Sequence, residues 1–243
     1  MFASTASVSR INSLNTDRRT CSVTWSACRL RRLPSRPSSF CEARKPPALP
    51  SAPEPSEKFV TRGGLKLRGA MNAFGISANG LVCLDIGSSH GGFTDCLLQD
   101  GAKSIWCVDV GKGQLDYKLR LNPKIHVLES TNIRHMEASV ITEHVDLITI
   151  DVSFISIQKL FPKLLELADA QTKIVAMVKP QFEGTPKEVP GGFVKDEPMR
   201  QLILSRVRQA ILEGGFTIKA EADSTVKGRQ GNLETFFYLA KKS

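Results

Sequence analysis

The chain has 243 residues, enough for one substantial α/β domain with an appendage, and carries 33 Lys and Arg against 24 Asp and Glu for a net charge of +9. No apolar run is long enough to cross a bilayer, and the six cysteines lack metal-ligand spacing, which argues against a membrane span, a zinc site and a disulfide framework. The basic total first suggests a nucleic-acid partner. However, nine of the cations (Arg10, Arg18, Arg19, Arg29, Arg31, Arg32, Arg36, Arg44 and Lys45) lie in the first fifty positions, against only Asp17 and Glu42. The rest of the chain is close to neutral, so any nucleic-acid interface must come from local patches.

In chain order, residues 1–45 are rich in Arg, Ser, Thr and Pro, poor in acids, and lack the continuous apolar stretch of a secretory signal. They read as an organelle transit peptide, plastid favoured over mitochondrion, or otherwise as an ordinary disordered tail. Residues 46–57 form a Pro-rich linker, and a folded domain is expected over 58–243. Its elements alternate. A helix over 65–74 precedes a strand at 81–87 and a helix at 92–100. Strands follow at 104–111, 124–130 and 145–153, then a helix at 157–168 and a strand at 172–180. A long helix at 198–213 leads to two closing strands, 216–223 and 233–241, whose short VKGRQGN connection suggests an antiparallel pair. The expected fold is α/β: a Rossmann-like, mostly parallel sheet with helices on both faces and a terminal antiparallel pair. Cys83, Cys96 and Cys107 fall on core elements and read as buried thiols.

The most informative stretch is LVCLDIGSSHGGFTDCL, residues 81–97. A buried strand runs into a glycine-rich turn and opens a helix. Ligands of open α/β sheets bind at that carboxyl end. The spacing is not the G-x-G-x-x-G of a dinucleotide site, and it resembles the cofactor loop of S-adenosylmethionine (SAM) methyltransferases. Asp85, Gly87, Ser88, Ser89, Gly91, Gly92 and Phe93 are the candidate cofactor residues, with Gly91 and Gly92 letting the backbone approach the ligand. The alternative is a tight strand-to-helix turn with no ligand.

Further strand ends add to the site. Asp109 lies at the end of the second strand and can accept from a ribose diol, or else cap the turn. Asn132 follows the third and can reach an adenine edge, although Asn also forms turns. Asp151 and Lys179 end the fourth and fifth strands at the same rim. A carboxylate and a lysine there can be a proton-handling pair or a structural ion pair. Arg62, Lys66 and Arg68 cluster before the sheet, Lys112, Lys118 and Arg120 follow the second strand, and Lys227 and Arg229 lie in the last connection. These are candidate phosphate contacts or simply a solvated charged surface. His90 reads as a solvent-facing turn residue.

Lys66, Asp151, Lys179 and Glu234, in that order, resemble the Lys-Asp-Lys-Glu tetrad of FtsJ-like RNA ribose 2′-O-methyltransferases. The wording of FVTRGGLKLRGA, LDIGSSHGGFTDCLL, VDVGKGQLDYKLR, ESTNIR, IDVSFIS, VKPQFE and KGRQGNLETFF is closer still to the TlyA, or haemolysin A, family. These stretches span about residues 59–240. The resemblance implies SAM as cofactor and ribosomal RNA or ribosomal subunits as partner, with a cytidine 2′-hydroxyl as acceptor. By motif position, Lys179 would lower the hydroxyl pKa or take its proton, Asp151 and Glu234 would orient lysine and substrate, and Lys66 would steady the ribose or its phosphate. Asp151 would also face the cofactor. Proteins of that family carry an N-terminal S4-like RNA-binding module, for which residues 1–57 show no helix or strand pattern. A docking partner could replace it, the domain could bind RNA unaided, or the sequence could come from an incomplete gene model. Other readings are a methyltransferase on another RNA or a small molecule, a catalytically silent SAM- or RNA-binding ribosome assembly factor, and a membrane-lytic protein. The last lacks both an apolar span and a strongly amphipathic basic helix.

Overall fold

A computed structural model describes residues 58–228 and 231–242. The transit-peptide and linker expectations for residues 1–57, and the phosphate contact expected of Arg229, lie outside the described residues.

Helix α1 (Arg62–Phe74) starts three residues before the expected position. Gly63 and Gly64 are poor helix formers, but Thr61 caps the end by accepting from the Gly63 amide at 3.1 Å. Tertiary packing supplies the rest, because Phe59 lies where a Cβ on Gly64 would stand, at 2.3 Å. Strands β1 (Val82–Ile86), β2 (Ser104–Val108), β3 (Ile125–Leu128), β4 (Leu147–Ile150) and β5 (Lys173–Val178) follow, with β6 (Phe216–Asp223) and β7 (Thr235–Lys241) closing the chain. Their sheet order is β3-β2-β1-β4-β5-β7-β6. The first five are parallel, while β7 runs antiparallel to both β5 and β6. This is the Rossmann-like methyltransferase architecture expected from the sequence.

Period-2 alternation divides the core between the two faces. Leu84, Ile86, Ile148, Ile150, Ile174 and Ala176 pack beneath α4 (Phe161–Leu167) and α6 (Glu197–Glu213), meeting Phe161, Leu164, Leu204 and Val207. Cys83, Ile105, Cys107, Leu147, Val175 and Phe236 face α1 and α2 (Gly92–Gln99), meeting Leu67, Met71, Phe93 and Leu97. The helix expected over 157–168 divides into a 3-10 turn at Ile157–Leu160 and α4. Two four-residue helices, α3 (Tyr117–Arg120) and α5 (Pro180–Glu183), escape the sequence pattern because one turn shows no periodicity. Among the described residues no helix is long and apolar enough to cross a membrane.

Candidate active site

Strand register assembles the site before any side chain is considered. Ile86 lies beside Ile150 in the parallel ladder, so Gly87 and Asp151 leave β1 and β4 as neighbours. Val178 lies opposite Thr235 in the antiparallel ladder, so Lys179 leaves β5 where Glu234 enters β7. Close packing of α1 on α2 brings Lys66 to the same rim: a Cβ on Gly92 would stand 3.2 Å from Gly63 Cα. All four tetrad positions line one cleft of about 580 Å³, within the usual size of a small-molecule site.

Within it, Lys66 Nζ pairs with Glu234 Oε2, the two side chains being 12% and 5% exposed. Lys179 Nζ stands 2.5 Å from Asp151 Oδ1, with side chains 11% and 25% exposed. That contact is a charge pairing rather than a directed hydrogen bond; the ammonium donates its directed bond to Ser153 Oγ at 2.8 Å. Being largely buried, both pairs attract more strongly than surface pairs do. Gly87, Ser88, Ser89, Gly92 and Phe93 of the cofactor turn line the same cleft, with His90 exposed at the rim and its Nδ1 3.1 Å from Ser89 Oγ. Arg62 is exposed at the cleft edge and Lys227 is also exposed.

Other expected site residues do different work. Asp85 is fully buried behind the turn rather than in the cleft, accepting from Thr94 Oγ1 at 2.7 Å and Thr149 Oγ1 at 3.0 Å. Burial, opposed by those two bonds, pushes its carboxyl up to about 7. The glycines of the turn also stand close to other parts of the protein. At Gly87 (φ 86°) a Cβ would meet the Asp151 carbonyl oxygen at 2.5 Å, at Gly91 it would meet Leu119 Cδ1 at 2.4 Å, and at Gly92 Thr61 Oγ1 at 2.2 Å. The missing side chains therefore admit other parts of the protein. Asp109 accepts the Ser89 amide at 2.8 Å on one oxygen and the Gly111 amide at 2.7 Å on the other. It thus ties the turn to β2 while each oxygen retains a lone pair. Asn132 is exposed and caps a 3-10 turn through the Arg134 amide at 3.1 Å, the turn-forming alternative. Arg68 is engaged by Asp100 at 2.5 Å with its side chain 11% exposed, which corrects the expectation of a phosphate contact there: a largely buried, paired guanidinium serves the fold. Arg120 likewise pairs with Glu129. Cys83, Cys96 and Cys107 are buried, and burial pushes the Cys83 and Cys107 thiols up, leaving them inert.

Sequence reasoning missed several cleft residues. Phe154 is 90% exposed at φ 64°, with its ring 5.0 Å from that of Phe182, over which Lys179 Nζ stands at 6.0 Å. Gln181 Oε1 is buried in the wall without a hydrogen-bond partner among the described residues. Their sequence signals were the stretches IDVSFIS and VKPQFE, which contain them without marking a role; the left-handed backbone of Phe154 has none. In the cleft lining, the Asp151 carboxylate, the glycine turn and the unsatisfied Gln181 amide oxygen fit a ligand with a cationic amino acid portion, while Asp109 lies outside that lining, tied to it through the Ser89 amide.

A family model described as FtsJ-like methyltransferase matches residues 59–242. The chain is 41% identical over 194 residues to the 16S/23S rRNA (cytidine-2′-O)-methyltransferase TlyA of Mycobacterium tuberculosis, covering 79% of this chain and 72% of that one. It is 40% identical over 185 residues to hemolysin A of Brachyspira hyodysenteriae, covering 75% and 76%. A solved structure from Lactococcus lactis, assigned as a hemolysin, superposes with a TM-score of 0.73 at 38% identity, covering 76% of this chain and 89% of that one.

Proposed function

The chain belongs to the FtsJ-like methyltransferase family and within it to the TlyA/haemolysin A group of SAM-dependent enzymes, and we propose that it methylates a ribose 2′-hydroxyl of ribosomal RNA, on a cytidine. The observation that carries this reading is the convergence of two ion pairs, Lys66 with Glu234 and Lys179 with Asp151, on the cleft that the glycine turn also lines. The similarity to a named rRNA (cytidine-2′-O)-methyltransferase supports the choice of nucleoside.

The chemistry asks little of the protein beyond positioning and a route for one proton. SAM, when bound, supplies an activated methyl group. Gly87, Ser88, Ser89 and Asp109 would hold it, with Asp151 beside Gly87 at the same rim. The Lys179 ammonium has three N–H donors. One goes to Ser153 and one faces Asp151, leaving the third for the acceptor hydroxyl. In that place the Lys179 ammonium lowers the hydroxyl pKa and stabilises charge developing on the oxygen while the hydroxyl proton leaves to water; Lys179 takes that proton itself only if it first gives up one of its own. Glu234 fixes Lys66, which steadies the ribose or its phosphate. Arg62 and Lys227, with Arg229, would contact flanking phosphates.

Lys179→Ala tests the assignment. Methyl transfer to ribosomal subunits should fall by about 10²-fold or more, while S-adenosylhomocysteine (SAH) binding by calorimetry stays within about twofold of the parent. Undiminished turnover would remove Lys179 from the reaction. We also propose that residues 1–45 direct the protein to an organelle, the plastid first, on the strength of their Arg/Ser-rich, acid-poor composition. A fluorescent fusion of residues 1–57 that stayed diffuse in the cytosol would contradict this.

A further inference from the structure

Glu129, just beyond β3, takes no part in the chemistry above and does not line the cleft, yet four donors converge on its carboxylate. Oε2 accepts from the Gly113 amide at 2.8 Å. Oε1 accepts from the amides of Gln114 at 3.0 Å and Leu115 at 3.3 Å, and from Arg120 Nη2 at 2.6 Å. Three successive backbone N–H groups aimed at one point make an anion-binding nest, and this chain fills the nest with its own side chain. These bonds, the one from Gly113 foremost, hold the Glu129 carboxyl down at about 2, so it is ionised throughout the working range.

The segment so gathered, residues 111–116, bears on the cofactor turn at several points. Ser89 Oγ donates to Gln114 Oε1 at 3.2 Å, and the Asp116 amide donates to the His90 carbonyl at 3.3 Å. Leu115 Cδ1 fills space that a Cβ on Gly91 would need, at 2.8 Å. The Gly111 amide binds Asp109, whose other oxygen holds the Ser89 amide. Glu129 is therefore linked through one short loop to Asp109, Ser89, His90 and Gly91.

We propose that Glu129 is a positioning residue for cofactor binding: its carboxylate sets the conformation of loop 111–116, and the loop in turn holds the glycine turn and Asp109 ready for SAM. The inference rests on the reading of residues 87–93 as the cofactor turn. Two substitutions separate charge from reach. Glu129→Gln keeps the size and loses the charge, whereas Glu129→Asp keeps the charge and falls one methylene short of the nest. In the full chain, both should weaken SAH binding by about tenfold, since charge-assisted bonds are roughly twice as strong as neutral ones. The KM for ribosomal RNA should not change. A role confined to folding would lower the unfolding midpoint and leave the SAH affinity of folded protein intact. SAH dissociation constants within about twofold of the parent for both folded variants would thus overturn the proposal. Hydrogen exchange on the unmutated chain gives a second reading that needs no variant to fold. The amides of Gly113, Gln114 and Leu115 should gain protection when SAH binds, and unchanged protection would also overturn it. An unmutated chain that takes up no SAH would instead remove the cofactor reading, and the inference with it.

Discussion

The Lys66–Glu234 pair, with side chains 12% and 5% exposed, can be separated by mutation into its worth to folding and its worth to chemistry. Lys66→Met strands a carboxylate, and Glu234→Leu strands an ammonium, where little water can solvate either. Each single change should cost about 3–5 kcal/mol, a large share of a typical folding free energy. Replacing both at once removes two desolvation penalties along with one attraction, and such apolar pairs often match the parent in stability. The double variant should therefore recover most of what the single variants lose, giving a coupling energy of at least about 2 kcal/mol in the cycle. It should nonetheless be inactive, with turnover down by about 10²-fold or more. Urea unfolding reads the first quantity and methyl transfer to ribosomal subunits the second. A double variant no more stable than the singles would refute the electrostatic reasoning. One that still turned over would refute the pair's part in catalysis.

Gly87→Ala places a Cβ 2.5 Å from the Asp151 carbonyl oxygen at φ 86°, so conformational strain and a backbone clash should together cost about 2 kcal/mol or more; an unfolding curve matching the parent's would contradict this. Burial raises Asp85 to about 7, which means the native state holds this proton more tightly than the unfolded chain does. That contribution is complete below about pH 4 and is lost as pH rises through about 7. Asp85→Asn should therefore flatten stability against pH across that window, and an unchanged slope in denaturant titrations would refute the burial argument. Arg62→Ala should raise the KM for RNA and reduce the salt dependence by about one counterion. Arg68→Ala should lower the unfolding midpoint and leave that KM alone, because Asp100 already engages Arg68.

Apolar runs, glycine punctuation and the short VKGRQGN connection were enough to find the seven strands among the described residues and the antiparallel close, because the runs report directly on burial within the sheet. Strand ends were overrun by one to three residues at places such as Asp151 and Lys179, where the chain leaves the ladder and turns to build the cleft. The tetrad was legible by motif, and strand register explains why residues so distant in sequence meet. Less legible were the jobs done by side chains beneath the surface. Asp85 and the turn glycines carry the pattern of a ligand site, but they meet Thr94, Thr149, Leu119 and Thr61, partners fixed only by tertiary packing. The same holds for Glu129, whose nest depends on loop conformation that no residue type announces, and for Phe154, whose left-handed backbone is set by its surroundings.

The most direct test is transfer of label from methyl-labelled SAM to unmethylated ribosomal subunits, with Lys179→Ala in parallel and the product digested to nucleosides. Label confined to a 2′-O-methylcytidine, and absent with Lys179→Ala, is the expected result. Label on a base, on protein, or undiminished in the variant would contradict ribose methylation by this cleft.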